Sequence, residues 1–206
     1  LSIPSGICFG IFGPNGSGKT TFLKIVATLV RPTSGTVEVA GTTLPRNARK
    51  VRAQTGVVLH HPLLPRNFTL LEGLRYYADL YQIDNPEPRI HELLERMGLT
   101  WRRRDPVATF SRGMAQSASL ACALLSEPPL LLLDEPFSGL DQRGCDLVEE
   151  VIQEYRKAQR TVLLVTHELE RGERLADEVV VLDQGRVVFR GERERWELGD
   201  LTAVYR

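Results

Sequence analysis

Gly13-Pro14-Asn15-Gly16-Ser17-Gly18-Lys19-Thr20 is the stretch that decides the fold of this 206-residue chain. It matches GxxxxGK[ST], and its flanks are the ones that pattern needs. Before it, Ile7 to Phe12 is a short apolar run bounded by Gly6 and Gly13, which predicts a strand. After it, Phe22, Val26 and Leu29 recur at helical spacing until Pro32 stops the run. Glycines in such a loop let backbone N–H groups wrap an anion without Cβ clashes. The helix N-terminus that follows adds partial positive charge. Lys19 supplies a point charge for β- and γ-phosphates, the Thr20 hydroxyl can ligate Mg²⁺, and Thr21 continues the site into the helix. The alternative is a Gly-rich turn with a surface lysine. By average composition such a match arises about once per hundred chains, and the strand and helix around it lower that further. The stretch reads as a nucleotide-binding loop.

Outward from the loop, elements alternate. Thr36 to Val39 is β-branched and ends at Gly41; basic Arg46, Arg49, Lys50 and Arg52 precede a strand-like run, Gly56 to Leu59. From 62 to 127 the pattern turns helical, with stripes at Leu71, Leu74, Ala78 and Tyr81, at Ile90, Leu93, Leu94 and Met97, and at Ala115, Ala118, Ala121, Cys122 and Leu125. Strands return at Leu130 to Leu133, Thr161 to Val165 and Glu178 to Leu182, with an amphipathic helix through Leu147, Val151 and Tyr155 between the first two. Asp183-Gln184-Gly185 then reads as a hairpin turn. The expected fold is α/β: a P-loop NTPase with a mostly parallel sheet covered by helices, an inserted helical lobe and some antiparallel strands. One domain is expected over 1–206, with a core of 1–61 and 128–206 and a lobe of 62–127.

Composition narrows the class. Hydrophobic residues make up 42%, enough for a real core, and 26 Lys+Arg balance 26 Asp+Glu. A neutral chain lacks the basic excess of a general nucleic-acid coat, so no stable nucleic-acid partner is expected. No run approaches the roughly 18 to 20 apolar residues of a membrane helix. The 3 cysteines, Cys8, Cys122 and Cys145, are far apart and show no CxxC spacing, which fits buried thiols in a reducing compartment.

The remaining motifs separate kinds of nucleotide chemistry. The Asn-Lys-x-Asp segment of guanine-specific proteins is missing. The apolar run Leu130 to Leu133 ends in Asp134-Glu135-Pro136. Asp134 is placed to hold Mg²⁺, and Glu135 to act as general base toward a water; taken alone, the pair could instead be a helix N-cap with surface charge, the lesser reading, and its place after a phosphate loop disfavours it further. Ser111 precedes an Ala-rich helix and reads as an N-cap, or as a phosphate contact together with the N–H groups of Arg112, Gly113 and Met114. His167 follows the strand Thr161 to Val165, at the sheet edge where ligands gather.

In this order and spacing the motifs resemble, over essentially the whole chain, the nucleotide-binding subunit of an ATP-binding cassette transporter of exporter type. The resemblance implies two cassettes, identical or different, paired head to tail with two ATP molecules between them. Lys19, Thr20 and Asp134 would then hold phosphates and Mg²⁺, Glu135 would polarise the water and His167 would contact the γ-phosphate. Ser111 and Gly113 would act in trans, with Asp141 of the Ser138-Gly139-Leu140-Asp141 loop crossing the interface. The lobe would receive a coupling helix from a transmembrane permease subunit, placing the cassette on the cytoplasmic face of the membrane.

Three departures qualify the resemblance. The signature is Phe110-Ser111-Arg112-Gly113-Met114 rather than Leu-Ser-Gly-Gly-Gln, keeping the serine and second glycine. The switch glutamine is replaced by His60, followed by His61 and Pro62. Imidazole is a poor Mg²⁺ ligand, so His60 is read as a contact to the attacking water or a relay of lobe movement. A transition-metal site at His60 and His61 is the weaker reading. A histidine here resembles the haem-exporter ATPase of cytochrome c maturation and related drug and lipid exporters. Finally, twelve residues precede Gly13, whereas the family's adenine-stacking aromatic lies farther upstream; its N-terminal strands are expected to lie outside this chain. Two other roles remain open at this stage: a soluble ATPase acting on nucleic acid or ribosomes, and a cassette that binds ATP with little turnover.

Overall fold

The computed structural model describes residues 1–60 and 63–192; His61 and Pro62, and with them the two-histidine metal reading, lie outside the described residues. Among the described residues a six-stranded sheet runs in the order β4-β5-β6-β1-β7-β8. Its strands are β1 (Cys8–Phe12), β4 (Thr55–Val58), β5 (Leu130–Asp134), β6 (Thr161–Val165), β7 (Glu178–Asp183) and β8 (Arg186–Glu192). The pairs β4–β5, β5–β6, β6–β1 and β1–β7 are parallel, and β7–β8 is an antiparallel hairpin. A small antiparallel ribbon, β2 (Val37–Val39) with β3 (Thr42–Leu44), sits apart.

The parallel arrangement explains the site. Strands running the same way deliver all their carboxyl ends to one edge, and connections of unrelated sequence position meet there. The phosphate loop follows β1, His60 lies just after β4, Asp134 closes β5 and His167 follows β6.

Central strands are buried on both faces and therefore read as unbroken apolar runs; every residue of β1 is buried. Successive side chains still alternate between two cores. Leu131 and Leu133 join one buried cluster with Leu164, Val148, Val151 and Ile152. Leu132 joins the other with Phe9, Ile11, Leu23 and Val180. Full burial of one such side chain contributes about 1.5–3 kcal/mol.

Helices cover both faces. They are α1 (Lys19–Val26), α2 (Ala48–Ala53), α3 (Leu70–Tyr81), α4 (Glu87–Arg96), α5 (Arg112–Leu124), α6 (Gln142–Lys157) and α7 (Leu169–Leu175). A capping box starts α3, where Thr69 accepts from the Glu72 amide and the Glu72 carboxylate accepts from the Thr69 amide. Leu70, Leu74, Ile90, Leu93 and Leu94 of α3 and α4 share the cluster beneath α5 and α6. Helix α5 lies directly on β4: a Cβ at Gly56 would sit 2.3 Å from the Ala123 carbonyl oxygen, so glycine is required there.

The structure departs from the sequence reading in local detail. Helix α1 ends at Val26, although the apolar spacing runs on to Leu29; Thr28 turns to φ 63°, and Leu29 is left 46% exposed. Strand β3 is too short to show a period, and the basic stretch 46–52 folds largely into α2. Helix α7 carries Glu170, Arg171, Glu173 and Arg174 around few apolar residues, so no apolar stripe announces it.

Candidate nucleotide site

A cleft of about 890 Å³ opens at the carboxyl edge of the sheet. Pro14, Asn15, Gly16, Gly18, Lys19, Thr20 and Thr21 form one wall, and His60, Asp134, Glu135, Ser138 and His167 the other. Gly13 and Ser17 lie beneath it, Ser17 only 2% exposed. Leu59 and Lys24 complete the lining. Lys24 escaped the sequence reading, although it stands one helical turn after Thr20.

The loop conformation needs its glycines. Gly13 has φ 145°, and a Cβ there would meet the Leu182 carbonyl oxygen at 2.1 Å; Gly16 and Gly18 have φ 82° and 105°. Lys19 folds back so that Nζ donates to the carbonyls of Gly13 at 2.7 Å and Pro14 at 2.9 Å. Lys19 is 9% exposed, and burial lowers its pKa against the opposing pull of Glu135 and Asp134. Ser17 Oγ is buried and has no hydrogen-bond partner among the described residues, a polar atom suited to an oxyanion in the loop.

Across the cleft, Thr20 Oγ1 donates to Asp134 Oδ1 at 3.1 Å. Asp134 is 1% exposed. Burial raises its pKa, while the Thr20 hydrogen bond and the charges of His60, Lys24 and Lys19 pull it down. Both principal charges of the cleft are thus held where desolvation disfavours them, so a ligand carrying phosphate and a cation would relieve both. A hydroxyl beside a carboxylate is a hard-oxygen donor pair, which fits Mg²⁺ and leaves coordination positions for water and phosphate.

Glu135 adopts φ 52° and its amide donates to the Val165 carbonyl at 2.8 Å, tying the end of β5 to β6. Its carboxylate then reaches His167: Oε2 is 2.7 Å from Nδ1 and 3.3 Å from the His167 amide nitrogen. His167 stands at the open mouth, with a side chain 66% exposed, against 19% for Glu135.

The signature residues lie elsewhere. Ser111, Gly113, Met114 and Asp141 line a separate groove of about 750 Å³. Ser111 caps α5 by accepting from the Met114 amide at 3.2 Å, and Asp141 caps α6 by accepting from Gly144 at 2.8 Å. Gly113 abuts Gly139, where a Cβ would come within 2.8 Å of the carbonyl. Arg112 bridges the two regions: Nη2 donates to Ser138 Oγ at 2.6 Å and lies 3.3 and 3.4 Å from the His60 ring nitrogens. That contact had no signal in the sequence, because its partners are far apart along the chain. A third hollow, of about 540 Å³, is bordered by Leu29, Arg49, Arg52, Leu63, Tyr77 and Leu80, between α2 and α3. No helix among the described residues is long and apolar enough to cross a membrane.

The chain matches the family model described as ABC transporter over residues 1–138. It is 38% identical over 193 residues to the Nod factor export ATP-binding protein I of Sinorhizobium fredii, covering 93% of this chain and 56% of that protein. It is 37% identical to the daunorubicin resistance ATP-binding protein DrrA3 of Streptomyces coeruleorubidus, covering 93% and 61%. The chain therefore spans about 56–61% of the length of these relatives. A dimeric structure of a post-hydrolysis state of an ATP-binding cassette, bound to ADP and Pi, superposes with a TM-score of 0.86 at 26% identity, covering 95% of this chain and 89% of that one.

Proposed function

The chain belongs to the ABC transporter family as a P-loop ATPase cassette, and from that premise we propose that it hydrolyses ATP in a head-to-tail pair to power export through a separate transmembrane permease subunit. The observation that carries this reading is the 2.7 Å contact between Glu135 and His167 at the mouth of a cleft that also holds Lys19 and Asp134. A carboxylate there can take a proton from a water while the phosphate loop holds the group under attack.

In this reading the triphosphate rests on the amides of residues 13–18, with the Lys19 ammonium between β- and γ-phosphates. Thr20 and Asp134 would hold Mg²⁺, which neutralises phosphate charge when bound. Glu135 accepts a proton from the attacking water as its oxygen bonds to the γ-phosphorus. The bond from that phosphorus to the β–γ bridging oxygen breaks, and ADP and phosphate leave. His167 faces the Glu135 carboxylate through Nδ1, and an N–H donated from Nε2 to the γ-phosphate at the same time requires the doubly protonated ring. His60 stands beside the water's approach.

The separation of the two grooves supports action in pairs. Ser111 and Gly113 do not line the cleft of their own chain; a second cassette, turned head to tail, would bring its helix α5 N-terminus to the γ-phosphate. The hollow bordered by Leu29, Arg49, Arg52, Tyr77 and Leu80 offers apolar surface with a basic rim to a coupling helix of the permease, at the cytoplasmic face. The name of the daunorubicin resistance relative supports a drug-like cargo, one of the three classes, with lipid and haem, that the sequence resemblance implies.

Co-purification from membranes, with identification of the bound subunit, tests the proposal. A polytopic permease in stoichiometric yield is expected. Recovery with ribosomes or nucleic acid instead would overturn it.

A further inference from the structure

Behind the cleft, outside its lining, Arg171 of α7 touches helix α6 and the two connections that carry Glu135 and His167. Its Nε lies 3.1 Å from Glu149 Oε1 on α6, and Nη1 lies 3.0 Å from Glu168 Oε2, the residue after His167. The guanidinium centre sits 4.9 Å above the ring of Phe137, which is 3% exposed and two residues after Glu135. The Arg171 side chain is 20% exposed and that of Glu149 19%, so this pair is largely shielded from water, whereas Glu168 is more open. Helix α6, which carries Glu149, starts at the Asp141 cap.

The Glu135–His167 contact needs such support. Both residues stand on connections beyond strand ends, and His167 is open to solvent. An exposed hydrogen bond between two loops contributes little to its own persistence. A planar guanidinium that stacks on one loop and pairs with the other fixes their separation.

We infer that Arg171 is a positioning residue for hydrolysis, holding the Glu135 loop against the His167 turn from behind. The inference rests on the assignment of Glu135 as base. Arg174 provides a built-in comparison. It pairs with the same Glu149 at 2.6 Å, but its side chain is 59% exposed, and among the described residues it forms no ion pair with Glu168 and no cation–π contact with Phe137. A merely structural contribution through Glu149 would belong to both arginines; positioning belongs to Arg171.

The test compares kcat, KM for ATP and Tm in the wild type, Arg171→Met and Arg174→Met, then repeats Arg171→Met in a Glu135→Gln background under single-turnover conditions. Displacing the base by a fraction of an ångström is expected to lower kcat by about tenfold with KM and Tm nearly unchanged. Arg174→Met is expected to turn over like the wild type. In the Glu135→Gln background Arg171→Met should add no further loss, because both changes act on one group. Multiplying losses, a raised KM at constant kcat, or equal effects of the two arginine variants overturn the inference. Wild-type turnover by Glu135→Gln alone overturns the base assignment and the inference with it, and is recognisable without any arginine variant. Should Arg171→Met fail to fold, Arg171→Lys keeps a cation for the carboxylates but loses the planar stack. A lowered kcat at constant KM supports the inference there, and a wild-type kcat sinks it.

Discussion

His167 Nδ1 and Glu135 Oε2 lie 2.7 Å apart although 32 residues separate them in the chain. The contact exists because β5 and β6 are parallel neighbours, pairing Asp134 with Val165 and so bringing their following residues level. It joins a candidate base to a candidate phosphate ligand at the mouth of the cleft.

Replacing that carboxylate by an amide should therefore separate binding from chemistry. Glu135→Gln is expected to bind ATP, lose at least about a hundredfold in turnover and accumulate as an ATP-bound dimer in size-exclusion chromatography. Unchanged turnover would remove Glu135 from the role of base.

Lys19 is the proposed phosphate-binding cation, and its Nζ donates to two backbone carbonyls of the loop. Lys19→Ala should lower ATP affinity by about a hundredfold, as loss of charge-assisted contacts to phosphate implies. Titration calorimetry measures it, and retention of micromolar affinity would refute the loop assignment.

At Gly56 the prediction concerns stability alone. An added methyl group would press on the Ala123 carbonyl at 2.3 Å and on Pro128 at 2.9 Å. Gly56→Ala should cost about 1–3 kcal/mol, read as a lowered urea midpoint. A midpoint at the wild-type value would mean that α5 shifts freely on β4.

The capping box predicts a pH dependence. Backbone and side-chain hydrogen bonds from Thr69 hold the Glu72 pKa below its ordinary 4.5. A carboxylate with a depressed folded pKa stabilises the fold above the unfolded value and loses that contribution as pH falls through the folded one. Glu72→Gln should accordingly lower Tm at neutral pH, with the difference shrinking as the pH falls below 4.5. A difference constant across that range would argue against the box.

Much of the fold was legible because burial leaves a mark on composition. Leu130 to Leu133 could be read as a strand from its unbroken apolar run, and α3, α4 and α6 from their stripes. Helix α7 was not legible: it is held by ion pairs from Arg171 and Arg174 to Glu149, and such pairs impose no periodicity. Helix α1 looked longer than it is, because Leu29 repeats the helical spacing on a segment that has already turned away.

For the site, the sequence by itself determined the candidate residues and the chemistry proposed for them. A phosphate loop requires glycines, a lysine and a hydroxyl in consecutive positions, so Gly13 to Thr20 carries its meaning within one local stretch. The order of Ser111, Asp134, Glu135 and His167 then made the family recognisable. Only the tertiary structure decided which of these groups meet. It brought Thr20 to Asp134 and Glu135 to His167, and set Ser111 and Gly113 in another groove. It also placed Arg112 against His60 and Ser138, and Arg171 behind Phe137. The physical reason is that sheet order fixes those distances, and β1 lies between β6 and β7 rather than beside the strand that follows it in the large sheet. That order depends on how two apolar faces are covered by helices, a property of the whole chain that no short stretch encodes.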